Sequence, residues 1–253
     1  MELAIWQLAL LGGVGVLAGW LNVLAGGGSM LTVPVMLFMG LPGPVANGTN
    51  RIAILAQNVS ALTAFWCRGF REWRLGLSLS AAAIPGAVAG SLVGVRVDGA
   101  VFEWVLAVIM LGLLVLMGVG KKRRAVDGRV APLSGRARWG WGHFCMVGAG
   151  FWGGFIQIGV GFVLMPILHR VLGLDLVRVN ALKVFVVGAY TLVALAIFAG
   201  SAGVVWAAGL ALAAGNAIGG WLGAHTSVRG GEGMIRWVFN ILVGVFIIKL
   251  LFF

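Results

Sequence analysis

The feature that most constrains this chain is a series of long apolar segments with little polar sequence between them. Of its 253 residues, 61% are hydrophobic and 10% are charged, and the mean hydropathy is +1.06. Apolar runs of about 20 residues are typical of helices that cross a membrane. The sequence therefore predicts an all-α polytopic membrane protein with about eight transmembrane helices, and it leaves no room for a soluble catalytic domain. The expected spans are 4–25, 46–66, 75–95, 100–119, 139–158, 177–199, 204–224 and 234–253.

An internal repeat organises these segments. The stretch GWLNVLAGGGSMLTVPVMLFMGLPGPVANGTNRIAILAQN returns in degenerate form from Gly150 to Tyr190. In each copy an apolar helix runs into a glycine cluster, followed by a short segment with one proline and by an Asn that opens another helix. Pro34 matches Pro166 at an offset of 132, but the next matches have an offset of 133. The second copy is therefore expected to carry one extra residue, near His169.

The short segment of each copy leaves two topologies open. Ser29 to Met39 is 11 residues long, about 16 Å of helix against a membrane core of roughly 30 Å. We expect two re-entrant or broken half-helices beside the eight spans. If they turn back, the two pseudo-symmetric repeats are parallel and both termini are cytoplasmic. If they help to complete a crossing, there are ten spans, the repeats are inverted and the termini lie outside. Segment length favours the first topology, and charge slightly favours the second.

The charge is concentrated in short loops. The net charge is +11; residues 67–74 hold three Arg against one Glu, and residues 121–138 hold seven Lys or Arg against one Asp. Because basic short loops stay in the cytoplasm, both are predicted to be cytoplasmic loops. The second is interpreted as a linker between repeat 1 (1–120) and repeat 2 (139–253). Contact with anionic lipid is favoured over nucleic-acid binding.

Polar side chains inside the spans form two matched stripes. The offset of 133 pairs Asn47 with Asn180, Asn50 with Lys183, Gln57 with Tyr190 and Asn58 with Thr191. These spacings lie on one helical face, so each copy is expected to turn one polar stripe inward. Hydrogen bonds between helices explain a single Asn or Thr, whereas Lys183 needs an anion or a carboxylate. Within the predicted spans the carboxylate is Glu103.

The glycine clusters predict the second part of a binding site. They precede half-helices, whose free N–H groups and dipole ends attract anions, and Ser29 is expected to cap the first of them. Close packing is the alternative for one cluster, but two clusters at matched positions favour a two-part anion site. The candidate binding residues are Gly26, Gly27, Gly28, Ser29, Thr49, Asn50, Gln157, Gly159, Gly161 and Lys183, with Asn22, Asn47, Arg51, Gln57, Asn180 and Tyr190 as additional candidates.

Other motifs are interpreted as structural. Glycines spaced four apart, at Gly86 and Gly90 and at Gly215 and Gly219, predict packing seams between helices, with a homodimer seam as the second interpretation. The sequence has no metalloprotease, Ser/His/Asp or P-loop motif. We therefore expect no enzyme activity, no metal and no cofactor.

The order of these motifs resembles the sulfite exporter TauE/SafE family of membrane transporters. The resemblance rests on GGGSMLTVPVMLFMGLP and ANGTNRIAILAQN and on the second copy, GFIQIGVGFVLMPILHRVLGLDLVRVNALKVF. It implies an inner-membrane secondary transporter that exports sulfite or an organosulfonate and couples to protons or sodium ions. The Gly-Thr-Asn of the family falls on Gly48, Thr49 and Asn50, whereas its second occurrence reads Ala181-Leu182-Lys183. A passive anion channel and a non-transporting membrane scaffold are the alternatives.

Overall fold

The computed structural model describes residues 3–102, 104–108, 112 and 136–252, and the regular elements in these ranges are helical. Glu103, linker residues 121–135 and most of the predicted span 100–119 lie outside this description. The main helices are α1 (Ile5–Leu24), α2 (Ser29–Phe38), α3 (Gly43–Trp66), α4 (Trp73–Gly94), α5 (Arg136–Phe155), α6 (Val160–Pro166), a π-helix (Ile167–Val171), α7 (Leu176–Ser201) and α8 (Trp206–Phe252), which is interrupted at Gly231. A further short apolar helix, Gly99–Val108, follows α4.

Four helical segments are long and apolar enough to cross a membrane: α1, α4, α7 and Trp206–Gly231 of α8. The 24-residue α3 is as long, but it carries the polar stripe of the first half and is therefore less apolar. The predicted all-α membrane fold is thus confirmed at the level of several apolar spans. The predicted half-helices correspond to α2 and to α6 with its π-helix.

Glycine seams set the direction of two helix pairs. A Cβ on Gly15 of α1 would lie 2.6 Å from the carbonyl oxygen of Leu212, and one on Gly19 would lie 2.5 Å from that of Asn216. Contacts that advance together along both helices mean that α1 and α8 run parallel. In α4, a Cβ on Gly90 would overlap the carbonyl oxygen of Phe151 in α5. The predicted seams are therefore used inside the chain, between its two halves.

The same logic gives the remaining directions. In α4 and α5, Gly86 faces Val147 and Gly90 faces Phe151, so these helices are parallel. Helices α3 and α7 are antiparallel, because Gly48 near the start of α3 faces Phe198 near the end of α7. Two side chains bind α3 to α8 in parallel order: Thr49 Oγ1 accepts from Val205 N (3.0 Å), and Ser60 Oγ donates to the Ala217 carbonyl (2.7 Å).

One further pair completes the arrangement. Glu72 and Arg178 form a salt bridge at the starts of α4 and α7, and Gly94 meets Phe198 near their ends, so these two helices are parallel. Helices α1, α3 and the first segment of α8 therefore run one way, and α5, α7 and α4 run the other way. Equivalent helices of the two halves point in opposite directions.

These directions make each half-helix the return arm of a hairpin. Because α1 and α3 start at the same end of the bundle, α2 must bring the chain back to that end. The first hairpin is α1–α2, and the second is α5–α6 with the π-helix, which enters from the opposite end. Their tips touch, since a Cβ on Gly26 would overlap the Cα of Gly161. Each return arm packs back on the helix before it, since Gly28 faces Ala18 of α1 and Leu172, after the π-helix, faces Gly142 of α5.

Local sequence explains the hairpin tips. Gly26 has φ +81° and donates its N–H to the carbonyls of Leu21 (3.2 Å) and Asn22 (2.9 Å), which closes α1 with the left-handed residue that commonly ends helices. At the second tip, Gln157 (φ +63°) and Gly159 (φ +70°) both have left-handed backbones. The π-helix holds the wider turn that one additional residue produces, and it spans the region where the extra residue is predicted.

Candidate functional site

A small cavity lies where the two hairpin tips meet. Its volume is about 10 Å³, room for about one water molecule. Its walls come from the end of α1, the middle of α3, the start of α6 and the middle of α7, so both halves contribute. The lining residues are Asn22, Gly26, Gln57, Asn58, Val160, Gly161, Lys183, Val184 and Val187.

Lys183 is the cation of this cavity. Its side chain is buried, and Nζ donates to the carbonyl oxygen of Val23 (2.7 Å) and to Asn180 Oδ1 (2.9 Å). Asn180 Nδ2 in turn donates to Ser227 Oγ (3.2 Å), which fixes the amide so that its oxygen faces the ammonium. Val23 lies in the last turn of α1, where carbonyls lack helical partners and carry partial negative charge. Lys183 therefore stabilises the end of α1, and its partners within the described ranges are uncharged.

Arg51 stabilises the end of α5, the first helix of the second hairpin, in the same way. Its Nη1 donates to the Gly153 carbonyl (3.0 Å) and its Nη2 to the Gly154 carbonyl, both in the last turn of α5. The guanidinium also lies 4.3 Å from the ring centroid of Phe198. Each half thus supplies one buried cation to the first helix of the other half.

Two further donors occupy the same end of α5. Asn47 Nδ2 donates to the carbonyl of Phe155 (2.9 Å), and Ser91 Oγ donates to that of Gly154 (3.2 Å). Asn47 and Arg51, which the sequence proposes as binding residues, therefore hold the second hairpin in place. Neither lines the cavity.

A chain of amides joins α1 to α3 beside the cavity. Asn22 Nδ2 donates to Gln57 Oε1 (3.0 Å), and Gln57 Nε2 donates to Asn58 Oδ1 (3.4 Å). Asn58 is 2% exposed, and its Nδ2 has no hydrogen-bond partner in the described part of the chain. The cavity therefore contains a buried donor whose hydrogen bond is unmade.

Asn50 and Ser29 belong to a separate cluster. Asn50 Oδ1 accepts from Thr32 Oγ1 (2.7 Å), and its Nδ2 donates to Ser29 Oγ (3.2 Å), so Asn50 ties the start of α2 to α3. The prediction that Ser29 caps α2 is wrong, because Gly28 is the N-cap and Ser29 is already the first helical residue. The matched pair Asn50 and Lys183 is not brought together: only Lys183 reaches the cavity.

The glycines serve close packing in this state. Gly26 and Gly161 touch backbone to backbone, and a Cβ on Gly28 would overlap the Ala18 carbonyl oxygen of α1. Gly27 is buried between them. The expected oxyanion cradle is therefore closed, with each tip filling the space in front of the other.

Comparison with known proteins gives this arrangement a family. A family model described as Sulfite exporter TauE/SafE matches residues 11–250. The chain belongs to the sulfite exporter TauE/SafE family. It is 26% identical to a "Probable membrane transporter protein" of Haemophilus influenzae over 236 residues, 93% of this chain and 91% of that protein.

Other relatives carry the same description. "Probable membrane transporter protein YfcA" of Escherichia coli K12 is 25% identical over 251 residues, 94% of this chain and 87% of that protein. "Probable membrane transporter protein ORF9" of Sinorhizobium sp. is 32% identical over 133 residues, about half of each chain. No solved structure matches the chain. Membership in a transporter family, together with the apolar helices, identifies an integral membrane protein.

Gln157 occupies an unusual position in this TauE/SafE member. It has the one positive φ among the described non-glycine residues, and such a backbone costs of order 1–3 kcal/mol. Its Nε2 donates to Thr191 Oγ1 (3.5 Å), while Oε1 makes no hydrogen bond within the described ranges. Tyr190 packs its hydroxyl against Gly153, below the same tip. Strain and an unmade hydrogen bond thus coincide at the second tip.

Sequence reasoning missed two groups of the cavity. Asn58 was placed on the polar stripe but not among the binding candidates, although its position beside Gln57 was a usable signal. No sequence pattern indicates the role of the Val23 carbonyl, because the side chains around residue 23 do not show which helix the end of α1 contacts. The hydroxyl of Thr49, a predicted substrate-binding residue, accepts a hydrogen bond from Val205 N just before α8.

Proposed function

We propose that this protein is a secondary transporter that exports a small sulfur-containing anion, such as sulfite or an organosulfonate, bound in the cavity between the hairpin tips. The observation that carries the proposal is that the partners of buried Lys183 among the described residues, the Val23 carbonyl and Asn180, are both uncharged. A buried charge is costly unless it is paired. An entering anion would supply the missing countercharge, and Asn58 Nδ2, which has no partner in the described part of the chain, would supply a second donor.

The closed cavity supports a transporter over a passive channel. A space of about 10 Å³ does not admit a four-atom oxyanion, and the backbones of Gly26 and Gly161 block the path between the two ends. The hairpins enter from opposite ends, so withdrawal of one tip opens the cavity to one side only. We propose that the two halves are inverted repeats that alternate in this way, as broken helices do in other transporters.

Charge supports an orientation for this mechanism. The end of the bundle where α3 ends and α4, α5 and α7 begin carries Arg68, Arg71, Arg74 and Arg178 against Glu72 and Asp175. By the positive-inside rule, we propose that the protein lies in the inner membrane with this end facing the cytoplasm. The start of α1 then faces the opposite side.

Ligand-dependent thermal stability tests the proposal. We expect sulfite and methanesulfonate to raise the unfolding temperature of the purified protein saturably, because each provides a countercharge for Lys183. Dimethyl sulfone, similar in size but uncharged, is the matched control and should have no effect. In Lys183→Gln the response to both anions should be lost.

Flux through proteoliposomes then separates the remaining alternatives. A transporter should move sulfite in a saturable manner that depends on an imposed proton or sodium gradient. A sulfite flux that does not depend on either the proton or the sodium gradient would indicate a channel. The absence of any saturable anion response or sulfite flux in the folded wild-type protein would leave the scaffold interpretation and overturn the proposal.

A further inference from the structure

The two hairpins are anchored unequally. At the end of α5, Arg51, Asn47 and Ser91 together donate four hydrogen bonds to three successive carbonyls. At the end of α1, one side chain of the other half donates to a backbone carbonyl among the described residues, Lys183 Nζ to Val23 (2.7 Å), and Trp20 Nε1 donates to Thr226 Oγ1 (3.1 Å). The last carbonyls of α1 are therefore held from the other half by one exchangeable cation, whereas those of α5 are held by three side chains.

Only the weaker of these anchors borders the cavity. Lys183 lines it, whereas Arg51 does not. An ammonium has three donors, and Lys183 uses one for Val23 and one for Asn180. Its flexible stem also lets the ammonium change partner, unlike the rigid fork of an arginine that holds two carbonyls.

We propose that a singly charged oxyanion binds between Lys183 Nζ and Asn58 Nδ2, draws the ammonium away from the Val23 carbonyl, and thereby frees the first hairpin while the second stays anchored. Lys183 then links occupancy of the cavity to movement of one particular gate. This inference rests on the proposed function and adds the charge class of the substrate and the identity of the moving hairpin.

The energetics favour an anion as the trigger. The hydrogen bond from the ammonium to the Val23 carbonyl is already charge-assisted, but an oxyanion adds a full negative charge whose attraction to the ammonium is strong in a buried, low-dielectric site. An oxyanion can therefore displace the carbonyl, and an uncharged solute cannot. The other side chains that line the cavity, from α1, α3 and α6, are uncharged: Asn22, Gln57, Asn58 and Val160. One negative charge is therefore neutralised by Lys183, while a second would remain buried without a partner. The site should prefer sulfonates and hydrogensulfite over sulfate.

Hydrogen exchange measured by mass spectrometry tests the inference. In the wild-type protein in nanodiscs, methanesulfonate should speed the exchange of backbone amides in residues 25–38 by about tenfold, the change expected on loss of a hydrogen bond to a charged group. Amides of residues 156–171 should not change. Sulfate at the same concentration should leave both segments unchanged.

Two variants separate the steps. Lys183→Gln should show the fast exchange in residues 25–38 without ligand and no further response. Asn58→Ala removes the second donor of the oxyanion and leaves Lys183 in place, so its affinity for methanesulfonate should fall about tenfold. If Lys183→Gln does not fold, the affinity of Asn58→Ala for methanesulfonate and the exchange of the wild-type protein still test the inference.

Particular outcomes overturn the inference alone. Saturable methanesulfonate binding with slower or unchanged exchange in residues 25–38, or with faster exchange in residues 156–171, would refute the exchange of Lys183 and leave the transporter proposal standing. Equal binding of sulfate and methanesulfonate would refute the charge class. Absence of binding by any anion would instead remove the proposed function itself.

Discussion

At the scale of single residues, two buried cations stabilise equivalent helix ends in opposite halves. Arg51 from α3 binds the end of α5, and Lys183 from α7 binds the end of α1. Carbonyls at a helix C-terminus carry partial negative charge, so a cation there is favourable even without a carboxylate. This explains how charges that a membrane protein rarely buries are tolerated beside a central cavity.

The fork of Arg51 gives the first residue-scale prediction. Arg51→Lys keeps the charge but loses one of two carbonyl contacts and the stacking on Phe198, so we expect a loss of about 1–3 kcal/mol in the free energy of unfolding. Thermal unfolding in detergent measures it. The control is Arg74→Lys at an exposed position, which should change stability by less than about 0.5 kcal/mol. Equal effects of the two substitutions would contradict the anchoring role.

At the scale of helices, glycine seams determine which elements become neighbours. Parallel pairs form between α1 and α8 and between α4 and α5, each joining the first helix of one half to the third long helix of the other. Small residues allow this close approach, which in lipid replaces the hydrophobic effect as the source of association. The seams thus hold the hairpins at the centre.

A pair of glycines in α5 tests the seam. Gly150→Ala would drive a Cβ into the carbonyl of Ala83 in α4, whereas Gly148→Ala adds a Cβ with nothing within 4 Å. We expect Gly150→Ala to lower stability by about 1–3 kcal/mol, as overpacking does. Gly148→Ala should be neutral or raise stability by up to about 1 kcal/mol, because alanine is the better helix former.

The readout is thermal unfolding and the yield of folded protein in detergent. Comparable losses for both variants would mean that flexibility of α5, and not its contact with α4, is what the glycines provide.

Elements were predictable from the sequence to the extent that their signals were local. Apolar length located α1, α4 and α7 within a few residues, and the proline and glycine spacing located the half-helices. Helix direction was not predictable in this way, because one short segment permits either topology until its neighbours are known. Asn47, Asn50 and Arg51 of the predicted polar stripe make hydrogen bonds between helices. A polar side chain that faces inward has the same sequence pattern whether it contacts a ligand or a neighbouring helix.

At the scale of the whole molecule, the bundle is electrically polar. Arg170 lies just before the start of α7, and Arg229 lies near the end of the first segment of α8. Both are therefore at the same end of the bundle as the basic 67–74 loop. At the other end, Arg96 and Asp98 follow α4 with opposite charges. Under the positive-inside rule, this distribution predicts that α1 starts on the side of the membrane away from the cytoplasm.

Cysteine labelling from outside the cell tests that orientation. Cys67 is exposed at the basic end, and Ile5 is 87% exposed at the start of α1. In a Cys145→Ala background, a membrane-impermeant maleimide should label Cys67 only after the cells are permeabilised. With Cys67→Ala added, Ile5→Cys should be labelled in intact cells. Protection of both sites in intact cells would support parallel halves with cytoplasmic termini instead.

The seam between α1 and α8 also has a consequence for biosynthesis. Gly15 and Gly19 find their partners, Leu212 and Asn216, in the second half of the chain, so α1 leaves the ribosome long before those partners are made. The cation that fixes its end, Lys183, is also translated late. The nascent first half therefore enters the lipid before its hairpin has these contacts, and the contacts form only after the second half has been inserted. A gene split between the halves should yield folded protein only when both fragments are made in the same cell.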